Sequence, residues 1–267
     1  MGKQTGAKTV KERLGAFDPP PGYRSDAVQD LPEINSAEFI KVVESRRSVR
    51  RFTETPVPKE ILQRCIELAL LSPNSCNLQP WEFIILETPA LRDKINRACL
   101  SQNAARTAPS MLAIVARTDT WRQNAADMLD IWPDNPVPPA VRTAFSKNLP
   151  FQYRLGGFGL VGLYKRYIYW KQSRKHPIWR GPVTGAERRE WATKTTALAA
   201  QTLMLALRAH GYDTCPIEGF DRPRAKKLLG LSKHQEIIMF MAAGHRADDG
   251  VYEQRVRLPS DRFIKVS

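Results

Sequence analysis

The sequence predicts a layered fold of helices and strands, α/β or α+β, and three observations carry that reading. Amphipathic helical segments alternate with short apolar runs over residues 58–116. The short runs, Phe83–Leu86 and Met111–Ala116, have strand length and are fully apolar, as buried strands are. A third such run, Ile237–Met241, follows a long helical stretch. Alternation of this kind sets helices against a sheet. With 267 residues and 42% hydrophobic content, the chain can bury a sizeable core.

The elements follow in chain order. Residues 1–34 are expected to form an extended or disordered arm, because Asp18-Pro19-Pro20-Pro21-Gly22 suits neither a helix nor a central strand. The rest, 35–267, is expected to be one domain. Asn35 with Glu38 resembles a capping box, and Phe39, Val42 and Val43 give the following helix an apolar face. That face ends near the arginine cluster, and after Phe52 the segment Thr55-Pro56-Val57-Pro58 breaks any helix. A second helix starts near Pro58, with Ile61, Leu62, Cys65, Ile66 and Ala69 on one core-facing side. Ser72–Asn77 is a loop by composition. A helix over Pro89–Leu100 separates the first two strands. From Glu187 to about His210 a long core helix carries small residues along one face, and Gly211 stops it. A short helix at Pro223–Leu229 precedes the third strand.

Residues 121–187 break this rhythm and read as a partly helical insertion or lid. Between Asp134 and Glu187 there is no acidic residue, against nine basic and nine aromatic ones. Within the span, Gly157-Phe158-Gly159-Leu160-Val161-Gly162 matches GxGxxG. That motif needs a preceding strand and a later acidic residue for the ribose. Neither is present, so glycine packing or flexibility is the expectation.

A net charge of +14 favours anionic partners without choosing among them. Arg46, Arg47, Arg50 and Arg51 surround Ser48, and clustered guanidiniums beside a hydroxyl suit a phosphate. A solvated basic surface is the alternative. Cys65, Cys76, Cys99 and Cys215 have no CxxC spacing, and the four histidines are scattered. No zinc signature results, and a reducing, cytoplasmic setting is expected. The amino terminus has no apolar h-region, so no secretory signal is expected. The longest apolar-and-glycine run, Leu155–Tyr164, is too short for a bilayer, which takes roughly 20 residues.

Four patches in order, RRSVRRF from Arg46, SPNSCNLQPWEF from Ser72, PIEGFD from Pro216 and RVRLP from Arg255, resemble the nitroreductase family of FMN-dependent oxidoreductases. The resemblance implies an α+β fold: a mixed central sheet flanked by helices, in an intertwined homodimer with FMN at its interface. It implies that Arg46, Arg47, Ser48 and Arg50 hold the flavin phosphate and ribityl chain, joined by Arg255 and Arg257. Pro73, Asn74, Ser75 and Asn77 would approach the flavin from the other subunit. Pro216, Ile217, Glu218 and Gly219 would lie against the isoalloxazine, a backbone N–H there meeting N5.

Two departures stand out. The family's flavin-contacting Asn and Lys before the second strand have no fixed counterpart in Leu100–Arg106, where Gln102 or Asn103 are the candidates. Cys76 occupies a position usually held by a small residue and is expected to be a quiet thiol. The implied activity is ping-pong hydride transfer from NADH or NADPH to a nitroaromatic, quinone or activated-alkene acceptor. The cofactor carries the chemistry, so no catalytic side chain and no metal is named. The alternatives are a specialised flavin reaction on the same fold (dehalogenation, flavin fragmentation or peptide oxidation) or basic-aromatic binding to a membrane surface through 135–186. Nucleic acid is not expected. The location is expected to be cytoplasmic or membrane-peripheral.

Overall fold

A computed structural model of the chain describes residues 32–266. All but the last three residues of the arm expected over 1–34 lie outside them. The described residues divide between two compact units. One comprises Ala37–Ser72, Glu82–Val115 and the chain from Ala197 onward; the other comprises the described residues up to Ser36, Pro73–Trp81 and Ala116–Thr196.

The first unit is organised on a four-stranded sheet: β1 (Trp81–Ile85), β2 (Ser110–Arg117), β3 (Asp213–Ile217) and β4 (Gln235–Gly244), in the order β1-β2-β4-β3. β3 and β4 pair antiparallel, with Asp213 opposite Gly244 and Ile217 opposite Phe240. Bonds from Leu86 N to Met111 O (2.9 Å) and from Arg117 N to Pro80 O (2.8 Å) set β1 antiparallel to β2. A parallel bridge joins Ser48 to Thr214.

Helices α1 (Ser36–Ser45), α2 (Lys59–Leu70), α3 (Pro89–Ala98), α4 (Asn103–Thr107) and α10 (Arg222–Leu228) belong to this unit. β2 explains its own apolar run, because it is buried on both faces. Met111, Ala113 and Val115 share one core with Ile95, Ala98, Ala104 and Ala225. Leu112 and Ile114 share another with Leu62, Cys65, Ala69, Leu203 and Leu207.

Four details differ from the sequence reading. β1, expected to be buried, is half-buried over Trp81–Ile84 and exposed at Ile85. β3 is a strand where none is expected. Proline cannot donate to a ladder, so Pro216 argues against a strand, and the outer place of β3 in the sheet order accommodates it. α1 forms where expected but buries none of its residues, and Phe39 and Val43 are exposed. α3 stops at Ala98 because Leu100 and Ser101 turn into the left-handed region, at φ 57° and 51°.

The second unit is helical: α5 (Trp121–Asp130), α6 (Pro139–Thr143), a π-helical turn (Ala144–Asn148), α7 (Leu149–Tyr153), α8 (Leu160–Ser173) and the first part of α9 (Gly185–Ala209). Its core is aromatic. Tyr153 stacks on Trp121 at 6.2 Å and tilts against Trp191 at 4.6 Å between ring centroids. The GxGxxG residues follow a helix, α7, and enter another, α8; no strand precedes them. Gly162 serves packing instead, since a Cβ there would lie 2.1 Å from Val183 O. Among the described residues no helix is long and apolar enough to cross a membrane, and no group of His, Cys, Asp or Glu is placed to hold a metal.

Candidate flavin site

The arginine segment leaves α1 and runs along β3. Val49 is fully buried and donates its N–H to Thr214 O at 3.0 Å; Arg50 N donates to Gly250 O at 2.7 Å. Gly250 permits that approach, because a Cβ would stand 2.5 Å from Arg51 O. With Val49 pointed inward, extended backbone turns its neighbours Ser48 and Arg50 outward.

The carboxyl-terminal tail returns to the same place. Arg255 donates to Arg46 O, and Arg47 donates to Glu253 O. Arg46, Arg47, Ser48, Gln254, Arg255 and Arg257 line a cavity of about 180 Å³ in which no carboxylate takes part. Burial, and after it the charges of Arg255 and Arg257, press the Arg46 guanidinium below its ordinary pKa. A cation under that pressure gains from an anion. Arg51 is otherwise engaged, with Asp249. Gln254 is a lining residue that no sequence signal marks.

β3 ends in the 216–219 segment: Pro216 half-buried, Ile217 buried, Glu218 and Gly219 exposed. A buried carboxylate fixes the start of the strand. Asp213 accepts two bonds from Arg246 (2.7 and 2.6 Å) and one from Arg208 (3.0 Å). Gln102 fixes its end, donating to Gly219 O at 2.6 Å and to Cys99 O at 3.1 Å. The left-handed pair Leu100–Ser101 aims it there. Asn103 turns elsewhere and donates to Tyr252 Oη at 2.7 Å. Of the two candidates for the missing Asn/Lys, the fold brings Gln102 to the 216–219 segment.

Pro73, Asn74, Ser75 and Asn77 belong to the second unit. Their loop is tightly wound: Cys76, Asn77 and Gln79 all have positive φ, between 45° and 60°. Such backbone persists only where neighbours fix it. Asn74 Oδ1 accepts from Gln79 N at 2.9 Å, and Asn124 Nδ2 donates to Leu78 O at 2.8 Å. Pro80 O accepts from both Arg117 N (2.8 Å) and Thr196 Oγ1 (3.1 Å). Burial raises the Cys76 thiol above its ordinary pKa, opposed by the Ser75 and Tyr153 hydroxyls, so the thiol is held protonated.

The sequence profile of the nitroreductase family matches residues 43–245. The chain belongs to the nitroreductase family. It is 28% identical to an NADH dehydrogenase of Thermus thermophilus over 82% of this chain and 91% of that protein. It is 27% identical to a 4-nitrobenzoate reductase of Pseudomonas putida over 84% of this chain and 92% of that one. Among solved structures, a nitroreductase family protein of Streptococcus pneumoniae superimposes with a TM-score of 0.63 at 21% identity. That match covers 86% of this chain and all of the other, and it shows the fold.

Family membership makes the chain an oxidoreductase whose cofactor is FMN and whose electron donor is NADH or NADPH. The residues present fit that cofactor. Several guanidiniums line one small cavity that has no carboxylate in its lining, which is the donor set a phosphate of nearly two negative charges requires.

Proposed function

We propose that the protein is a homodimeric flavin oxidoreductase that passes a hydride from NADH or NADPH to a small organic acceptor in a ping-pong cycle. The observation that carries it is the carboxylate-free arginine cavity beside Ser48. Arg46, Arg47, Arg50, Arg255 and Arg257 with Ser48 hold the FMN phosphate and ribityl chain. Pro216, Ile217, Glu218 and Gly219 present backbone to the ring, and Gln102 holds that backbone in place. Pro73, Asn74, Ser75 and Asn77 reach the flavin of the partner subunit. The uncovered apolar face of α1 supports dimerisation, since exposed apolar patches mark contact surfaces. FMN, when bound, supplies two-electron chemistry; the chain binds, orients and excludes water.

The insertion 121–187 is the acceptor-binding part of a single domain, 35–267. A cavity of about 590 Å³ there has Ser75, Tyr153, Tyr169, Trp170, Trp179 and Trp191 among its lining. Its aromatic walls, with Arg166, Arg180 and Lys194 also in the lining, suit flat nitroaromatics, quinones and activated alkenes, and the 4-nitrobenzoate reductase relative supports the first of these. Peripheral contact with a membrane through 135–186 is part of the same proposal.

Equilibrium binding of FMN and of riboflavin, followed by flavin fluorescence, tests the cofactor site. FMN is expected to bind at least tenfold more tightly. Equal affinity would show that no phosphate site exists.

A further inference from the structure

Helix α8 is built inside out. Its buried residues are Gly162, Lys165 and Tyr169, spaced on one face. Five of its large apolar side chains, Leu160, Leu163, Tyr164, Tyr167 and Trp170, are each between 52% and 65% exposed. Folding alone selects the reverse arrangement.

The helix cannot turn to correct this, because three contacts fix it. Gly162 lies against Val183 O with no room for a Cβ. Lys165 Nζ donates to Gln152 O (2.7 Å) and Pro182 O (2.5 Å). Tyr169 Oη meets Gln152 Oε1 at 2.5 Å. The outward face is therefore a fixed property of the fold, and an exposed apolar surface of this size calls for an occupant.

We propose that α8 is an interfacial helix that seats the protein on an anionic lipid surface. This rests on the membrane contact proposed above and gives it a helix, a face and a lipid charge. Charge complementarity chooses the occupant. The end of the helix exposes Lys171, Arg174 and Lys175, and no acidic residue occurs anywhere in 135–186, so a second copy of this face would repel the first. Anionic headgroups would not.

The outer side also carries the chemistry of an interface. Tyr164, Tyr167, Lys171, Lys175 and His176 line a groove of about 360 Å³, with phenol and cationic donors for a lipid phosphate. Arg174 lies 3.7 Å over the Trp170 ring. Aromatic rings at headgroup level and basic residues toward anionic lipid are the pattern of helices that lie in a membrane plane. Fourteen residues give a helix about 21 Å long, which lies on a bilayer and does not cross it. α8 also supplies Arg166, Trp170 and Ser173 to the 590 Å³ cavity. Seated this way, the protein would take a lipophilic acceptor dissolved in the membrane.

The test is sedimentation of the FMN-loaded protein with vesicles of phosphatidylcholine alone and of phosphatidylcholine with phosphatidylglycerol. Binding to the anionic vesicles is expected to exceed binding to neutral ones at least tenfold and to fall with salt. The double variant Leu163→Ser/Tyr167→Ser, outside the acceptor cavity, should lose tenfold or more of that binding. Lys171→Glu/Lys175→Glu, which leaves the apolar residues in place, should lose as much. Flavin absorbance and its bleaching by NADH should persist in both. No binding at low salt, equal binding to both vesicles, or unchanged binding by both variants would overturn the proposal. So would a serine variant that loses dimer mass in equilibrium sedimentation, because the face would then be a protein interface. A yellow, reducible protein that ignores vesicles would sink the α8 proposal and leave the flavin reading intact.

Discussion

Arg257→Ala probes the phosphate site with little structural interference. Its guanidinium donates to the adjacent Val256 O at 2.8 Å, whereas Arg255 ties the tail to Arg46 O. Removing Arg257 also lifts one of the positive charges that depress the Arg46 pKa. The unliganded protein should therefore keep its stability within about 0.5 kcal/mol, as exposed substitutions do. A hydrogen bond to a charged group is worth about 1.5–3 kcal/mol. FMN affinity should then fall roughly 10- to 150-fold, at one decade per 1.4 kcal/mol. Arg46→Ala should lose a similar amount. Isothermal titration of FMN and riboflavin into each variant reads the effect. Riboflavin has no phosphate, so its affinity should barely change. Arg51→Ala, whose side chain is paired with Asp249, is the control and should leave FMN binding as it was. Unchanged FMN affinity in both Arg46→Ala and Arg257→Ala, or an equal loss for riboflavin, would refute the placement of the phosphate.

Other perturbations test the scaffold. Asp213→Ala strands Arg208 and Arg246 beside a buried strand end and should cost about 3–5 kcal/mol, read by urea unfolding; a loss under 1 kcal/mol would contradict its role in fixing β3. Gly162→Ala forces a Cβ against Val183 O and should cost about 1–3 kcal/mol; an unchanged urea midpoint would mean that α8 is free to shift. Burial lowers Lys165 from 10.5 to about 8. The unfolded chain keeps that proton up to about pH 10.5 and the folded chain only to about 8, so stability should rise with pH from about 8. The full window is worth about 3 kcal/mol, and Lys165→Met should lose the slope between pH 8 and 10; identical slopes would rule out a buried, depressed Lys165.

The elements that could be read from the sequence are those in which one local rule dominates. β2 is apolar because both faces are covered. α2 and α9 fall close to where their periodicity puts them. β3 was hidden because Pro216 contradicts a strand and only its place in the sheet order excuses it. α1 shows the limit of amphipathicity: Phe39 and Val43 form the expected stripe, yet no described residue of the chain buries it. At the site, the arginines of 46–51 are contiguous, but alone they fit a solvated basic surface as well as an anion site, and the resemblance was needed to choose. Arg255 lies 209 residues from Arg46, and only the family resemblance linked them. Gln102 could not be separated from Asn103, since the choice depends on left-handed turns at Leu100 and Ser101 that neither residue's propensity signals. Asp213 is the opposite case, a site support defined wholly by long-range partners.

The absorbance spectrum of the purified protein, taken after FMN reconstitution and again after anaerobic addition of NADH or NADPH, tests the central claim most directly. The protein should retain flavin in stoichiometric amount through gel filtration, and its visible bands should bleach on adding the donor and return with an electron acceptor. A colourless protein that does not retain added FMN would contradict the flavin site and the function built on it.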